Sequence, residues 1–199
     1  MCIAPLIAVG DWSWLAIGVA VAAAAAVFWA IAIYNNLVGL RVRCDNAWSD
    51  IDVQLKRRHD LIPNVVEAVK GYAGYEKGTL QAVVEARSNA LKATGPAAQA
   101  QAENQLASTL KSLFALAESY PQLRASEQFT HLQQSLAGIE DAVQNSRRYY
   151  NAVVRDLNTA VAMFPGNIVA GYGGFHTREF FELSDAGDRD VPSVKMDLT

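Results

Sequence analysis

The chain has 199 residues, 51% of them apolar, with 17 basic and 20 acidic side chains for a formal net charge of −3. Near-balanced charge without a basic stripe argues against a nucleic-acid partner, because gripping a phosphate backbone needs clustered Lys and Arg. Two cysteines make no disulfide framework, and the roughly 165 residues after the first apolar stretch suit a single domain.

The first predicted element is a transmembrane helix over residues 12–34, behind a short non-cytoplasmic N-terminus over 1–11. Trp12 to Ile33 reads WSWLAIGVAVAAAAAVFWAIAI, and no charge falls between Trp12 and Leu40. A bilayer core needs about 20 apolar residues in a helix, and a central charge costs about 2.5 to 3.5 kcal/mol. Trp12 and Trp14 at one end, with Trp29 and Tyr34 at the other, suit the aromatic belts at the two headgroup layers. All 17 basic residues follow the span, so the positive-inside rule places the C-terminal part in the cytoplasm. The reverse orientation is the alternative, since short tails with little charge are weakly specified. Met1 to Gly10 lacks the positive region of a cleavable signal, so the span reads as a permanent anchor.

A bundle over 35–165 is predicted next. Leu37, Leu40, Cys44, Trp48, Ile51, Leu55, Ile62, Val65 and Val69 recur at three- and four-residue steps, with Arg58 the one polar interruption, and form one helical stripe. Pro63 within it removes a hydrogen bond to His59, which predicts a kink near Leu61 or a break. Gly71 and Gly74 mark a turn. Leu80, Val83, Val84 and Leu91 give a second helix, ended by Gly95-Pro96. Leu106, Leu110, Leu113, Ala117 and Tyr120 give a third, stopped by Pro121. The fourth runs through Phe129, Leu132, Leu136, Ile139, Val143, Ser146, Tyr150, Val153 and Leu157 to Phe164-Pro165-Gly166, a coiled-coil-like seam. No stretch alternates as a strand does, so the fold class is all-α: the span followed by an elongated antiparallel bundle of about four helices.

The first and fourth helices should reach about 55 Å and the middle pair about 30 to 35 Å. The short pair then leaves a two-helix stalk near the bilayer, where Leu37, Leu40, Trp48, Val153, Leu157 and Val161 have too few neighbours to bury them. Such surface marks an interface, so self-association into a homo-oligomer is expected there, or through the span at Gly18 and Ala22 to Ala26. The segment 166–182 is apolar and glycine-rich. Ile168, Val169, Tyr172, Phe175, Phe180 and Phe181 either rest in the headgroup layer or cap the open end of the bundle. Leu37, Leu40, Val153, Leu157, Phe175 and Phe181 are the candidates for membrane-proximal association. A polar acidic tail over 183–199 ends the chain, with Val191 to Leu198 expected to dock as a strand on a neighbour.

Asp45, Asn46, Ser49, Asp50, Asp52 and Gln54 interleave with the Trp48, Ile51 and Leu55 stripe. Arg147, Arg148 and Arg155 are the expected counter-charges on the fourth helix. Asp45, Trp48, Asp50, Asp52, Arg147, Arg148 and Arg155 therefore form the candidate interaction surface, with a solvated face of i to i+4 pairs as the alternative. Catalytic, cofactor and metal sites are not expected. His59, His131 and His176 are scattered, Glu127 and His131 read as a surface ion pair, and Cys44 on the stripe reads as a small core filler.

Several blocks resemble the LemA family: Tyr34-Asn35-Asn36-Leu37, Asp45 to Arg58, Asp60 to Asn64, Glu85-Ala86-Arg87, Leu116 to Pro121, Arg147 to Asn151, Arg155-Asp156 with Asn158, Phe164-Pro165 with Asn167, and Arg178-Glu179 with Phe181. The resemblance covers roughly Tyr34 to Glu182. It implies a bacterial cell-membrane protein with one N-terminal span and a cytoplasmic helical bundle, related also to a magnetosome-membrane protein. The family has no established reaction and supplies no catalytic residues. The expected function is a non-catalytic scaffold or adaptor working through self-association and other membrane proteins. The alternative is a sensor bundle that binds a small ligand or lipid.

Overall fold

A computed structural model describes residues 10–72 and 76–183. The predicted tail over 1–9, the turn at Gly74, and the acidic stretch and strand of 184–199 lie outside these residues. The elements are α1 (Gly10–Lys70), α2 (Lys77–Lys92), α3 (Pro96–Glu118), α4 (Pro121–Arg124), α5 (Glu127–Ala162) and α6 (Gly166–Gly173). Among the described residues every regular element is a helix, and the fold is the all-α bundle that the periodicity predicts.

Prolines set two of the starts. Pro96 opens α3 and Pro121 opens α4, positions where the missing N–H has no intrahelical partner to lose. The single turn α4 is not among the elements expected from the periodicity. Helix α1 is uninterrupted, passing both the expected domain boundary at residue 34 and Pro63. No break occurs at Pro63 because the carbonyl it frees is taken up. Arg87 Nε on α2 donates to the His59 oxygen at 2.7 Å.

The chain divides into two compact units. One holds the described residues between Asn46 and Ala152 together with those from Glu179 to Leu183. Its core is Ile62, Val65 and Val69 of α1, Leu80, Val83, Ala86 and Ala90 of α2, Leu106, Leu110, Leu113 and Ala117 of α3, Leu123 of α4, and Phe129, Leu132 and Leu136 of α5. Each large apolar side chain buried there contributes about 1.5 to 3 kcal/mol, so this cluster holds the four main helical segments together.

The other unit holds the described residues up to Asp45 together with Val153–Arg178. Leu37 and Cys44 of α1, Val153, Val154 and Leu157 of α5, Ala170 of α6 and Phe175 are buried in it. A cis Phe164–Pro165 bond precedes α6. The corner admits only glycine, since a Cβ on Gly166 would lie 2.2 Å from the Ala160 carbonyl oxygen. Gly174 ends α6 in the left-handed conformation at φ 68°, and the Phe175 amide closes on the Ala170 oxygen at 3.0 Å, a Schellman-type stop.

This corrects the bare stalk expected from helix lengths. Leu37, Val153 and Leu157 are buried, and Leu40, Trp48 and Val161 are half-buried. Helix lengths alone miss the chain after Pro165, which supplies Ala170, Phe175 and Phe181 as covering groups.

Candidate functional site

The candidate interaction residues fall into the two units and are described in turn. In the unit holding Asn46–Ala152, Trp48 stacks obliquely on Tyr150 at 5.4 Å and edge-on against Phe181 at 5.6 Å. Phe181 is fully buried and comes from the non-helical segment 175–183, which α5 grips as a strap. Asn151 Nδ2 donates to the Phe181 carbonyl at 3.0 Å, and Asn151 Oδ1 accepts the Phe181 amide at 2.9 Å. Tyr150 donates its hydroxyl to the Glu179 carbonyl at 3.0 Å, and Arg147 Nη1 to the Leu183 carbonyl at 2.8 Å. Arg148 bonds to Asn145 and is exposed. Asp50 and Asp52 are exposed. Arg147 thus acts at least partly as a backbone clamp, a role that its expected pairing with carboxylates did not include.

In the other unit Asp45 pairs with Arg178 at 2.7 Å, a partner that lay outside the expected set of Arg147, Arg148 and Arg155. Arg155 is exposed. Asn158 repeats the amide clasp, donating to the Arg178 carbonyl at 2.9 Å and accepting its amide at 2.8 Å. Phe175 is buried and meets Tyr34 edge-on at 5.5 Å. Burial pushes the Cys44 thiol above its ordinary value; the Arg178 guanidinium pulls it down, and Asp45 and Asp156 push it up. A protonated, enclosed sulfur is a core filler rather than a nucleophile.

The large apolar residues of this segment separate in the structure. Phe175 and Phe181 are buried, whereas Ile168, Tyr172 and Phe180 are exposed, Tyr172 at 94%.

Sequence reasoning missed the polar cluster inside the bundle. Glu103 on α3 is fully buried, and its carboxylate meets His59 Nε2 at 2.7 Å and Arg58 Nη1 at 3.3 Å. Gln99 Nε2 donates to Glu103 at 3.0 Å and to the Ala90 carbonyl at 3.2 Å, and Arg58 Nη2 reaches Glu140 on α5 at 3.0 Å. Among the described residues every buried side-chain nitrogen or oxygen has a partner, so the cluster is closed upon itself. It ties α1, α3 and α5 by charge-assisted bonds and reaches α2 through Gln99 and the Ala90 carbonyl. Among the described residues no three His, Cys, Asp or Glu side chains are grouped as metal ligands are.

The N-terminal part of α1 is apolar enough to cross a membrane, with mean hydropathy 2.4 and none of that stretch buried. A core helix would be covered; this one points to membrane anchoring. The fold and its clamps thus define a helical bundle carried on an N-terminal apolar helix.

The model of the LemA family matches residues 47–196, and the chain belongs to the LemA family. It is 24% identical to "Magnetosome protein MamQ 2" of Paramagnetospirillum magneticum, over 79% of this chain and 68% of that protein. To "Magnetosome protein MamQ" of Magnetospirillum gryphiswaldense it is 23% identical, over 83% and 71%. To "Protein LemA" of Metamycoplasma hominis it is 25% identical, over 81% and 74%.

Proposed function

We propose that this protein is a single-pass bacterial inner-membrane protein, N-terminus outside and bundle in the cytoplasm, that serves as a non-catalytic scaffold through self-association and contact with other membrane proteins. The outward face of α1 carries the reading. Val38, Val42 and Val53 are 37%, 49% and 47% exposed on the very helix that forms the anchor. Apolar groups left in water on an anchored helix gain about 25 cal/mol per Å² when a neighbour covers them. The charge distribution supports the orientation, with every Lys and Arg after the span.

Single cysteines at Val42 and Val53, in a background lacking Cys2 and Cys44, test the self-association in native membranes. With copper phenanthroline and oxygen added to isolated membranes as the oxidant, disulfide-linked dimers are expected at one or both positions. Monomer at both, together with monomeric mass in mild detergent, would reject it. For partners, Asp50→Ala with Asp52→Ala should abolish capture of co-purifying membrane proteins while helicity is unchanged. A reporter active on one side of the membrane, fused at Thr199, checks the orientation.

A second reading, a ligand-binding sensor, has one supporting observation. A groove of about 380 Å³ between α3 and α5 is lined by Leu110, Phe114 and Leu136 and by the polar Arg58, Lys111, Gln133 and Glu140. Purification with a bound small molecule would favour it over the scaffold.

A further inference from the structure

On the unit that contains the apolar anchor, two concavities follow one another along α1. The first is a groove of about 480 Å³ between the end of the span and α6, lined by Val27, Ile31, Tyr34, Ile168, Val169 and Tyr172. Every one of these side chains offers carbon surface. The second, of about 190 Å³, is lined by Arg41, His176, Thr177 and Arg178 beside Leu157 and Phe175. The two share consecutive lining residues, Gly173 in the groove and Gly174 in the pocket, and Phe175 of the pocket touches Tyr34 of the groove.

Helical spacing explains the alignment. Val27, Ala30, Ile31, Tyr34 and Arg41 stand on one face of α1, Arg41 seven residues and about 10.5 Å beyond Tyr34. Helical side chains lean toward the N-terminus, so Arg41 reaches back toward the span, and a long basic chain there sets its charge at headgroup level. Ile168 and Tyr172 are exposed beside Val27 and Ile31 of the apolar stretch, and Met163 and Phe164 just before α6 are 61% and 74% exposed. One nitrogen of Arg178 is held by Asp45, which offsets part of its charge, and Arg178 and Arg41 both line the pocket.

We propose that this surface binds one anionic phospholipid of the bilayer, its acyl chain in the α1–α6 groove and its phosphate between Arg41, Arg178 and Thr177. The occupant is a membrane lipid rather than a free anion because the cationic pocket continues directly into an apolar groove on the membrane-crossing helix.

The test uses the full-length protein in mild non-ionic detergent, with phosphatidylglycerol or phosphatidylcholine of identical acyl chains, read by native mass spectrometry. Phosphatidylglycerol adducts should exceed phosphatidylcholine adducts at least fivefold. Arg41→Gln should bring them down to the phosphatidylcholine level, and Arg41→Lys should keep most of the preference. Arg43→Gln, two residues on and outside the pocket, should match the wild type, and Ile168→Ser should weaken retention of both lipids. Circular dichroism confirms that each variant keeps its helicity, and Thr177→Val, which should lower the phosphatidylglycerol preference, stands in should Arg41→Gln lose it. Equal retention of the two lipids, equal losses in Arg41→Gln and Arg43→Gln, or displacement of phosphatidylglycerol by excess inorganic phosphate would each overturn the proposal.

Discussion

Arg87 on α2 donates to the backbone carbonyl of His59 on α1 at 2.7 Å, the oxygen that Pro63 leaves without its intrahelical donor. A proline inside a helix ordinarily costs about 3 kcal/mol, part of it the orphaned carbonyl. Here a charged donor from the neighbouring helix fills the gap. Replacing Arg87 with Met should therefore cost about 1 to 3 kcal/mol, the usual penalty for a part-buried acceptor stripped of its donor. In a Pro63→Ala background the helix's own amide returns to His59, and the same substitution should cost less. A double-mutant cycle of thermal unfolding in detergent measures the difference, and equal costs in both backgrounds would dismiss the coupling.

Glu103 gathers three donors, from Arg58, His59 and Gln99, with no exposure to water. Glu103→Ala strands two basic groups in the core, although Arg58 keeps Glu140. Removing one partner of a buried ion pair typically costs about 3 to 5 kcal/mol. Loss of a cooperative unfolding transition, or a steep fall in its midpoint, is the expected result. A midpoint within a degree or two of the wild type would show that water enters and solvates the cluster.

The core stripe was legible in the sequence because helical burial imprints its period. Of the residues on that face, Leu37, Cys44, Ile51, Leu55, Ile62, Val65 and Val69 are buried, and Leu40 and Trp48 are half-buried. The polar cluster left a fainter mark. Arg58 interrupts that stripe, and Glu103 stands three residues before Leu106 at the spacing of the third helix's buried face. Two opposite charges at core positions of neighbouring helices mark a buried pair, the one that Arg58 and Glu103 form. A cap on the bundle was one of two alternatives for this segment, but its attachment was illegible, because residues 175–183 have no period and Asn151 and Asn158, which clasp it with Arg147 and Tyr150, are polar residues that helical patterns assign to solvent.

Asn158 holds both the amide and the carbonyl of Arg178, and Asn151 does the same for Phe181. Alanine at either position removes two hydrogen bonds and should cost about 1 to 3 kcal/mol, mostly through local release of the strap rather than global unfolding. Asn158→Ala should raise the rate of tryptic cleavage after Arg178 several-fold. Asn151→Ala should open chymotryptic cleavage at Phe180 and Phe181, with bundle helicity unchanged. Cleavage rates equal to the wild type in both variants would mean that burial of Phe181 alone holds the strap.

Cys44 provides a pH readout of the unit it lies in. Burial, the largest influence, holds its thiol above the ordinary value, and Asp45 and Asp156 push the same way against Arg178. A raised value means that the unfolded chain loses the proton first. The stability contributed by the neutral thiol is therefore fully present below the unfolded value and declines as pH rises through the thiol range toward the folded one. With Cys2 replaced by Ser, iodoacetamide at neutral pH should modify native Cys44 at least tenfold more slowly than the denatured chain, since both burial and the retained proton oppose attack. Asp156→Asn removes one of the charges that raise the value and should move the onset of labelling to lower pH. Native and denatured rates that coincide at neutral pH would show that Cys44 is open to solvent and ionises normally.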